Sequence, residues 1–338
     1  MTAVTRTHEA DRSHCRTRPQ RWRRNVAPLD ALAPVLLSVR EARPVVQMAF
    51  LLRFLCGAVL AWAWDGARFT VGLAGTIVAA ATVWECAVVF VYLLNGVTDR
   101  TEDAANSTGR PVAAGVLPAR TAAAHAVACA VAAVSGAVLL SGALLISVLG
   151  MLGLGYAYSG PPILGKRYPA SAFAITAAGG LLTYQAGVLA AGGSEPPPPV
   201  VVLGFFMALW MGLIGTVTKD LSDVVGDVRA GRSSVAIRLG ARRARGLVAV
   251  LAPLLGAGLL ASAVVFADRR SSSPATAGLL AGGIVLLVGA LVLAFRALTE
   301  PDGSTRRQLR GLYRVFMAVQ YLVHFAVLAA TFVWARGA

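Results

Sequence analysis

Apolar residues recur along the chain in nine long runs, which polar or glycine- and proline-containing stretches separate. Each run is long enough to cross a hydrocarbon layer of about 30 Å as a helix. The pattern therefore predicts an all-α, polytopic membrane protein with nine transmembrane helices. The least marked boundary is Ser141-Gly142, where a tight turn has to separate the third run from the fourth. The runs cover residues 43–64, 69–94, 121–140, 142–158, 170–192, 200–217, 246–266, 276–297 and 312–335.

Residues 1–42 form an arginine-rich arm that lacks the apolar core of a signal peptide, so we expect it to stay in the cytosol. Apolar residues in the arm have the spacing of an amphipathic helix, which suits the membrane interface. A linker without regular structure fits the same stretch equally well. The transmembrane domain is predicted over residues 43–338. The amphipathic positions are Leu29, Leu32, Val35, Leu36 and Val39.

The composition agrees with a single membrane domain, because 57% of the 338 residues are hydrophobic and only 14% are charged. The net charge of +15 lies in loops between apolar runs rather than on a polar background. This distribution argues against nucleic acid as a partner and for the lipid bilayer.

Lysine and arginine are concentrated in alternate loops. With the N-terminus inside, 26 of the 31 lie in the inner segments, which is the asymmetry of the positive-inside rule. We therefore expect a multi-pass protein of a bacterial cell membrane, with its N-terminus and the loops after helices two and six in the cytosol. Residues 43–158 and 170–297 then form two halves of equal orientation, typical of an internal repeat, and the last helix follows at 312–335.

An acidic cluster follows the second apolar run. Asn95, Asp99 and Asp103 are four residues apart, so on a helix they form one narrow stripe of oxygen atoms. Like charges at this spacing repel each other, and three oxygen ligands aimed together indicate a cation.

A second cluster follows the sixth apolar run. Asp220, Asp223 and Asp227 lie within about 60° of one another on a helix. Two such stripes facing each other would hold hard divalent cations and, through them, a polyphosphate. The alternative is ordinary solvation of helix ends at the membrane surface. Six of the chain's 16 acidic residues lie in these two loops, which favours the cation site.

The acidic clusters belong to three longer motifs. These are Asn95-x-x-x-Asp99-x-x-x-Asp103 with Arg110-Pro111 and Gly115, then Tyr156-Ala-Tyr158-Ser159-Gly-Pro161-Pro162 with Lys166-Arg167, then Lys219-Asp220-x-x-Asp223-x-x-Gly226-Asp227-x-x-x-Gly231. In this order they resemble the motifs of the UbiA-type superfamily of intramembrane prenyltransferases, over roughly residues 43–335. Many members have an aspartate where this chain has Gly96. Members similar to homogentisate prenyltransferases and chlorophyll synthases also lack it, and the second acidic motif has their form.

The resemblance implies a helical bundle around a central cavity. It implies Mg²⁺-dependent transfer of a prenyl group from an allylic prenyl diphosphate to an aromatic or quinone-precursor acceptor. The enzyme class is that of transferases for alkyl or aryl groups other than methyl. A terpene cyclase of the same type would ionise the same diphosphate without an acceptor, and no residue here separates the two. The implied catalytic residues are Asp99, Asp103, Asp223, Asp227 and Tyr158, the diphosphate-binding residues are Asn95, Arg110, Lys166 and Lys219, and the metal ligands are Asp99, Asp103, Asp220, Asp223 and Asp227.

Tyr158 lies at the end of the fourth apolar run. An aromatic face near a departing diphosphate stabilises an allylic cation, and a phenol hydrogen-bonds a leaving oxygen. Tyrosine is also common at membrane interfaces without any chemical role.

Arg53 and Glu85 are charges within apolar runs, each roughly 14 Å from the cytosolic end of its helix. Because the first two helices are antiparallel neighbours, we expect the two side chains to form an ion pair. A transporter or scaffold would instead have ionisable groups along a path through the membrane, whereas here the acids crowd one face.

Overall fold

The computed structural model describes residues 27–229, 231–269 and 273–337, and this part of the chain is helical. Nine of its helical spans are long and apolar enough to cross a membrane, which confirms the all-α polytopic prediction for the described residues. The helices are α1 (Ala27–Glu41), α2 (Pro44–Asp65), α3 (Val71–Thr98), α4 (Arg100–Ala105), α5 (Ala119–Leu140), α6 (Gly142–Ser159), α7 (Pro169–Ala190), α8 (Pro198–Leu209), α9 (Thr216–Arg229), α10 (Val235–Leu239), α11 (Ala241–Arg269), α12 (Pro274–Thr299) and α13 (Arg306–Gly337).

The boundary between the third and fourth spans lies at Ser141, as predicted. Its backbone is extended (φ −168°, ψ 138°), so it ends α5 and begins α6. The Ser141 hydroxyl accepts a hydrogen bond from the Leu144 backbone N–H at 3.3 Å and caps the new helix. One extended serine therefore makes the turn.

Both acidic clusters are helical. Helix α3 runs past the apolar run to Thr98, and α4 begins one residue later at Arg100. The sixth span continues from α8 through a π-helical turn, Trp210–Gly215, into α9. A π turn changes the rotation of the helix that follows it, so it sets which face of α9 is turned to the interior.

Close approach of helix backbones holds the bundle together. A Cβ atom at Gly57 would overlap the Tyr184 carbonyl of α7, and one at Gly187 would overlap the Phe54 carbonyl of α2. Small residues at such crossings allow the van der Waals packing that associates helices in lipid.

Helix α1 covers the stretch predicted to be amphipathic. Leu36 is 66% exposed, whereas Ser38 is buried and its hydroxyl lies 2.7 Å from His125 Nδ1 on α5. The helix therefore docks on the bundle by a mixed face that includes Leu37, Ser38 and Glu41, and leaves apolar side chains such as Leu36 outward. Its residence in the membrane interface stays a prediction.

The predicted ion pair between Arg53 and Glu85 is wrong. Arg53 Nη2 donates a hydrogen bond to Gln320 Oε1 on α13 at 2.6 Å. No nitrogen–oxygen distance within 4.0 Å joins the two described side chains, and Glu85 Oε1 has no hydrogen-bond partner. The reason is helix rotation, because Arg53 is turned to Gln320 on α13, whereas Glu85 lines a cavity with His125 and Cys129.

Candidate active site

The first acidic motif spans the junction of α3 and α4, with Asn95 in α3, Asp99 between the helices and Asp103 in α4. Asn95 Nδ2 donates to Asp99 Oδ2 at 2.7 Å, the four-residue spacing that a helix places on one face. The same amide nitrogen lies 3.3 Å from Ser159 Oγ at the end of α6. This contact joins the first motif to the tyrosine-containing motif.

Arg110 is the most heavily bonded cation of the site. Its Nη1 donates to Asn95 Oδ1 at 3.1 Å and to Asp103 Oδ2 at 2.9 Å. Its Nη2 donates to the carbonyls of Glu41 and Tyr92, each at 3.0 Å, and its Nε lies 2.7 Å from Glu41 Oε1. Both terminal nitrogens of this guanidinium group therefore have protein acceptors, and Nε has a charged neighbour without hydrogen-bond geometry, which suits orienting the motif. A direct role with diphosphate stays a prediction.

The second acidic motif occupies the inner face of α9. Lys219 Nζ lies 3.6 Å from an oxygen of Asp220 and 3.2 Å from one of Asp223. Two arginines of α13 reach Asp223 as well: Arg306 at 3.3 Å and Arg310 at 3.5 Å. The sequence placed these arginines only among the inner basic residues, and nothing in it indicated which acid they meet.

The two motifs face each other at one end of the bundle. Arg232 Nη1 lies 3.1 Å from Asp227 Oδ1 and 3.7 Å from Glu102 Oε2, so one guanidinium group bridges both motifs. Asn106, just after α4, accepts a hydrogen bond from the Gly226 backbone N–H at 2.8 Å.

Lys166 comes to the same place from the loop after α6. Its ammonium group forms an ion pair with Asp99 and lies 3.9 Å from Glu102 Oε1. Burial lowers the pKa of Lys166, and the nearby cations Arg232 and Lys219 lower it further, whereas the carboxylate of Asp227 raises it. Cations that destabilise one another in this way are stabilised by a polyanion.

Two cavities meet at this site, here called the mouth and the chamber; both have mostly apolar walls, and the mouth adds a cluster of charged side chains. The mouth has a volume of about 280 Å³, and Lys166, Asp220 and Arg232 line it. The chamber, of about 130 Å³, has Phe50 and Met151 among its walls. Tyr158, Thr216 and Lys219 line both. Tyr156, by contrast, is bound to the Pro161 carbonyl at 2.7 Å, outside the cavities.

The acids fit a magnesium ion only in part. No three acidic, histidine or cysteine side chains of the described residues converge as a ready-made metal cage. Asp227 Oδ2, however, is buried without a hydrogen-bond partner. Mg²⁺ typically takes one or two carboxylates together with substrate phosphates, and paired stripes with a free buried oxygen suit that arrangement.

A family model described as the UbiA prenyltransferase family matches residues 50–319. The chain belongs to this family. Together with the nine apolar spans, membership makes it an integral, multi-pass membrane protein of a prenyltransferase family.

Relatives of this UbiA-family chain include a probable homogentisate phytyltransferase 2, chloroplastic, from Oryza sativa subsp. japonica. The two are 35% identical over 179 residues, which are 51% of this chain and 45% of that protein. The match thus spans about half the length of this relative.

Two solved structures share the fold. A UbiA homologue from Archaeoglobus fulgidus bound to GPP and Mg²⁺ superposes with a TM-score of 0.60 at 20% identity, over 87% of this chain and 99% of that one. A digeranylgeranylglyceryl phosphate synthase gives a TM-score of 0.58 at 17% identity, over 88% and 99%. The central cavity expected of this UbiA-type bundle is the mouth and chamber described above.

Proposed function

We propose that this chain transfers a prenyl group from an allylic prenyl diphosphate to an aromatic or quinone-precursor acceptor within the membrane, with Mg²⁺ as cofactor. The observation that carries the proposal is that Tyr158 lines both the mouth, with its clustered charged side chains, and the neighbouring chamber. A prenyl diphosphate is a polyanion joined to a hydrocarbon chain, and cations set beside apolar walls suit such a molecule. The Archaeoglobus fulgidus homologue bound to GPP and Mg²⁺ supports the same donor class.

In this proposal the basic side chains of the mouth bind the diphosphate oxygens. Lys166, Lys219 and Arg232 line the mouth, and their ion pairs with acids leave capacity for further acceptors. Asn95, which lines the chamber, would also contact the diphosphate in this proposal.

Five aspartates are the proposed metal ligands, and Asp227 offers the oxygen without a partner. Bound there, Mg²⁺ would neutralise the diphosphate and favour its departure as a leaving group. The set is Asp99, Asp103, Asp220, Asp223 and Asp227.

Tyr158 is the proposed catalytic aromatic residue. It lies at the boundary of the two spaces, where the bond to the diphosphate breaks, so its ring can stabilise the allylic cation. The apolar walls of the chamber keep water from capturing that cation first. An electron-rich ring carbon of the acceptor then attacks it to form a carbon–carbon bond, and the proton of that ring carbon passes to the released diphosphate.

The aromatic acceptor is supported by the homogentisate phytyltransferase relative, which this chain matches over 45% of that protein's length. We also propose that the site faces the cytosol of a bacterial cell, since most basic residues lie on that side.

The test of the proposed reaction is incubation of purified membranes with Mg²⁺ and radiolabelled geranyl, farnesyl or geranylgeranyl diphosphate, with and without homogentisate and related acceptors.

Label entering an aromatic ring is the expected result. A labelled hydrocarbon or terpene alcohol formed without acceptor would instead assign the chain as a terpene cyclase. If label enters only added glycerol phosphates, the acceptor is a glycerol phosphate, as the name of the digeranylgeranylglyceryl phosphate synthase indicates for that protein, and not an aromatic compound. No turnover of any diphosphate would contradict the proposal.

A further inference from the structure

Glu41, the last residue of α1, is a buried acid that sequence analysis left out of the site. Its side chain is fully buried. Oε1 lies 2.7 Å from Arg110 Nε as an ion pair without hydrogen-bond geometry, and Oε2 accepts a hydrogen bond from the Val112 backbone N–H at 2.8 Å. The matched family region begins at residue 50, so this acid comes from outside it. A fully buried carboxylate normally needs this much compensation to remain charged.

The Glu41 carboxylate occupies the space where a side chain at position 96 of the first motif would lie. A Cβ atom built at Gly96 would overlap Glu41 Oε1 and would lie 2.6 Å from Arg110 Nη2. Gly96 is helical, and its φ angle is not among the positive ones, so backbone conformation does not require a glycine there. The requirement is steric, because the side-chain space at position 96 contains the carboxylate of residue 41.

We infer that Glu41 is a positioning residue of the active site and supplies, from α1, the carboxylate that position 96 cannot. The inference rests on the proposed function of the site. Glu41 holds the Nε edge of Arg110, and the opposite edge of the same guanidinium group holds Asn95 and Asp103. The acid therefore fixes the orientation of the first motif without touching the substrate.

Docking of α1 alone is the simpler explanation, and it makes a different prediction. Ser38 also fixes α1 to the bundle, but its hydroxyl meets His125 rather than Arg110. If Glu41 only docks the helix, then Ser38→Ala and Glu41→Ala should have the same consequences. If it positions the motif, only Glu41→Ala should change binding of an anion with Mg²⁺.

The test is a double-mutant cycle with Glu41→Ala, Gly96→Asp and the combination, purified as full chains in detergent. The first readout is thermal unfolding at increasing inorganic pyrophosphate with Mg²⁺, which measures binding without turnover. The second is kcat and KM with geranyl diphosphate. We expect Glu41→Ala to weaken pyrophosphate binding or lower kcat by about 10- to 100-fold, the usual effect of losing a residue that orients a metal ligand.

Gly96→Asp alone should be at least as damaging, because the new side chain overlaps Glu41. The combined variant should recover about tenfold relative to Gly96→Asp, since a carboxylate at position 96 then has the vacated space and Arg110 beside it. Gly96→Ala with and without Glu41→Ala separates the overlap from the charge. If Glu41→Ala fails to fold, Glu41→Gln takes its place, because it keeps the shape of the side chain and removes only the charge. Glu41→Gln should still weaken pyrophosphate binding.

The inference is overturned if Glu41→Ala and Glu41→Gln match the unchanged protein in both pyrophosphate binding and kcat, if Ser38→Ala produces an equal loss, or if the combined variant is no better than Gly96→Asp. Failure of the proposed function has a different signature: the unchanged protein itself would neither bind pyrophosphate nor turn over geranyl diphosphate. Even then, the unfolding temperatures of the cycle report whether residues 41 and 96 share one space.

Discussion

Every carboxylate of the two acidic motifs is in contact with a cationic side chain. Asp103 is paired with Arg110, and Asp227 with Arg232, while Asp223 has three cationic neighbours. Pairing explains how so many acids lie partly buried at one helix end without repelling each other strongly. It also means that the cations which neutralise the acids are the groups available to a diphosphate.

Replacing one motif aspartate tests the metal assignment. Asp99→Asn and Asp223→Asn keep the size of the side chain but remove its charge, so we expect turnover to fall by about 10²-fold or more, the scale of losing metal-based charge stabilisation. The bundle should remain folded because helix packing maintains it. The measurement is the rate of prenyl transfer, with thermal unfolding as the check on folding.

Asp302→Asn is the matched control, since Asp302 lies outside the site and its ion pair with Arg245 is largely exposed on the aspartate side. Its activity should stay close to that of the unchanged protein. Retained turnover in a chain carrying both Asp99→Asn and Asp223→Asn would remove the metal site from consideration.

The buried guanidinium group of Arg53 gives a prediction about stability. Gln320→Leu removes the acceptor that lies 2.6 Å from Arg53 Nη2. Because Arg53 is only 1% exposed, water cannot replace that acceptor, and the cost should be about 1–3 kcal/mol or more. The measurement is thermal unfolding in detergent.

Arg53→Leu combined with Gln320→Leu is the control for that prediction. With both side chains replaced, neither polar group of this pair is left buried without the other, so the double variant should be more stable than Gln320→Leu alone. Equal stability of the single variant and the unchanged protein would show that the hydrogen bond contributes nothing.

At the scale of elements, the site depends on α4 and α9 touching directly. Gly226 makes this possible, because a Cβ atom there would overlap the Asn106 side chain that binds its backbone N–H. The π turn before α9 and the junction before α4 bring these short polar helices together. The two acidic motifs are therefore held at a fixed separation by backbone, not only by flexible ion pairs.

Gly226→Ala should separate α4 from α9 and lower prenyl transfer by about tenfold, as loss of an orienting contact usually does. Gly153→Ala is the control, because a Cβ atom at that helical glycine meets nothing within 4 Å. Alanine there should be neutral or slightly stabilising. An unchanged rate in Gly226→Ala would mean that the motifs tolerate a shift between the helices.

At the scale of the whole molecule, the predicted orientation places all site loops in the cytosol. In a cysteine-free background, Ser304→Cys in the loop before α13 should react with a membrane-impermeant maleimide only in inverted vesicles. Ser194→Cys, in the loop between α7 and α8, should react in intact cells. Labelling of both positions from the same side would contradict the nine-span topology.

The family, the nine spans and the identity of the motif residues follow from the sequence. Hydropathy and bilayer thickness act on a chain segment by segment, so a linear pattern is enough to define the spans. The serine turn at Ser141 also depends only on local residues. The division into repeat halves at 43–158 and 170–297 remains a prediction of the sequence.

The tertiary structure alone decided which partner each charged side chain meets. Glu41 reaches Arg110 across 69 residues, and Arg53 reaches Gln320 across 267. Such pairs depend on how each helix is rotated about its axis, and in lipid that rotation is set by close packing of small residues on neighbouring helices rather than by hydropathy. For this reason the sequence identified the acidic stripes, but only the fold showed that a carboxylate from α1 fills the space beside Gly96.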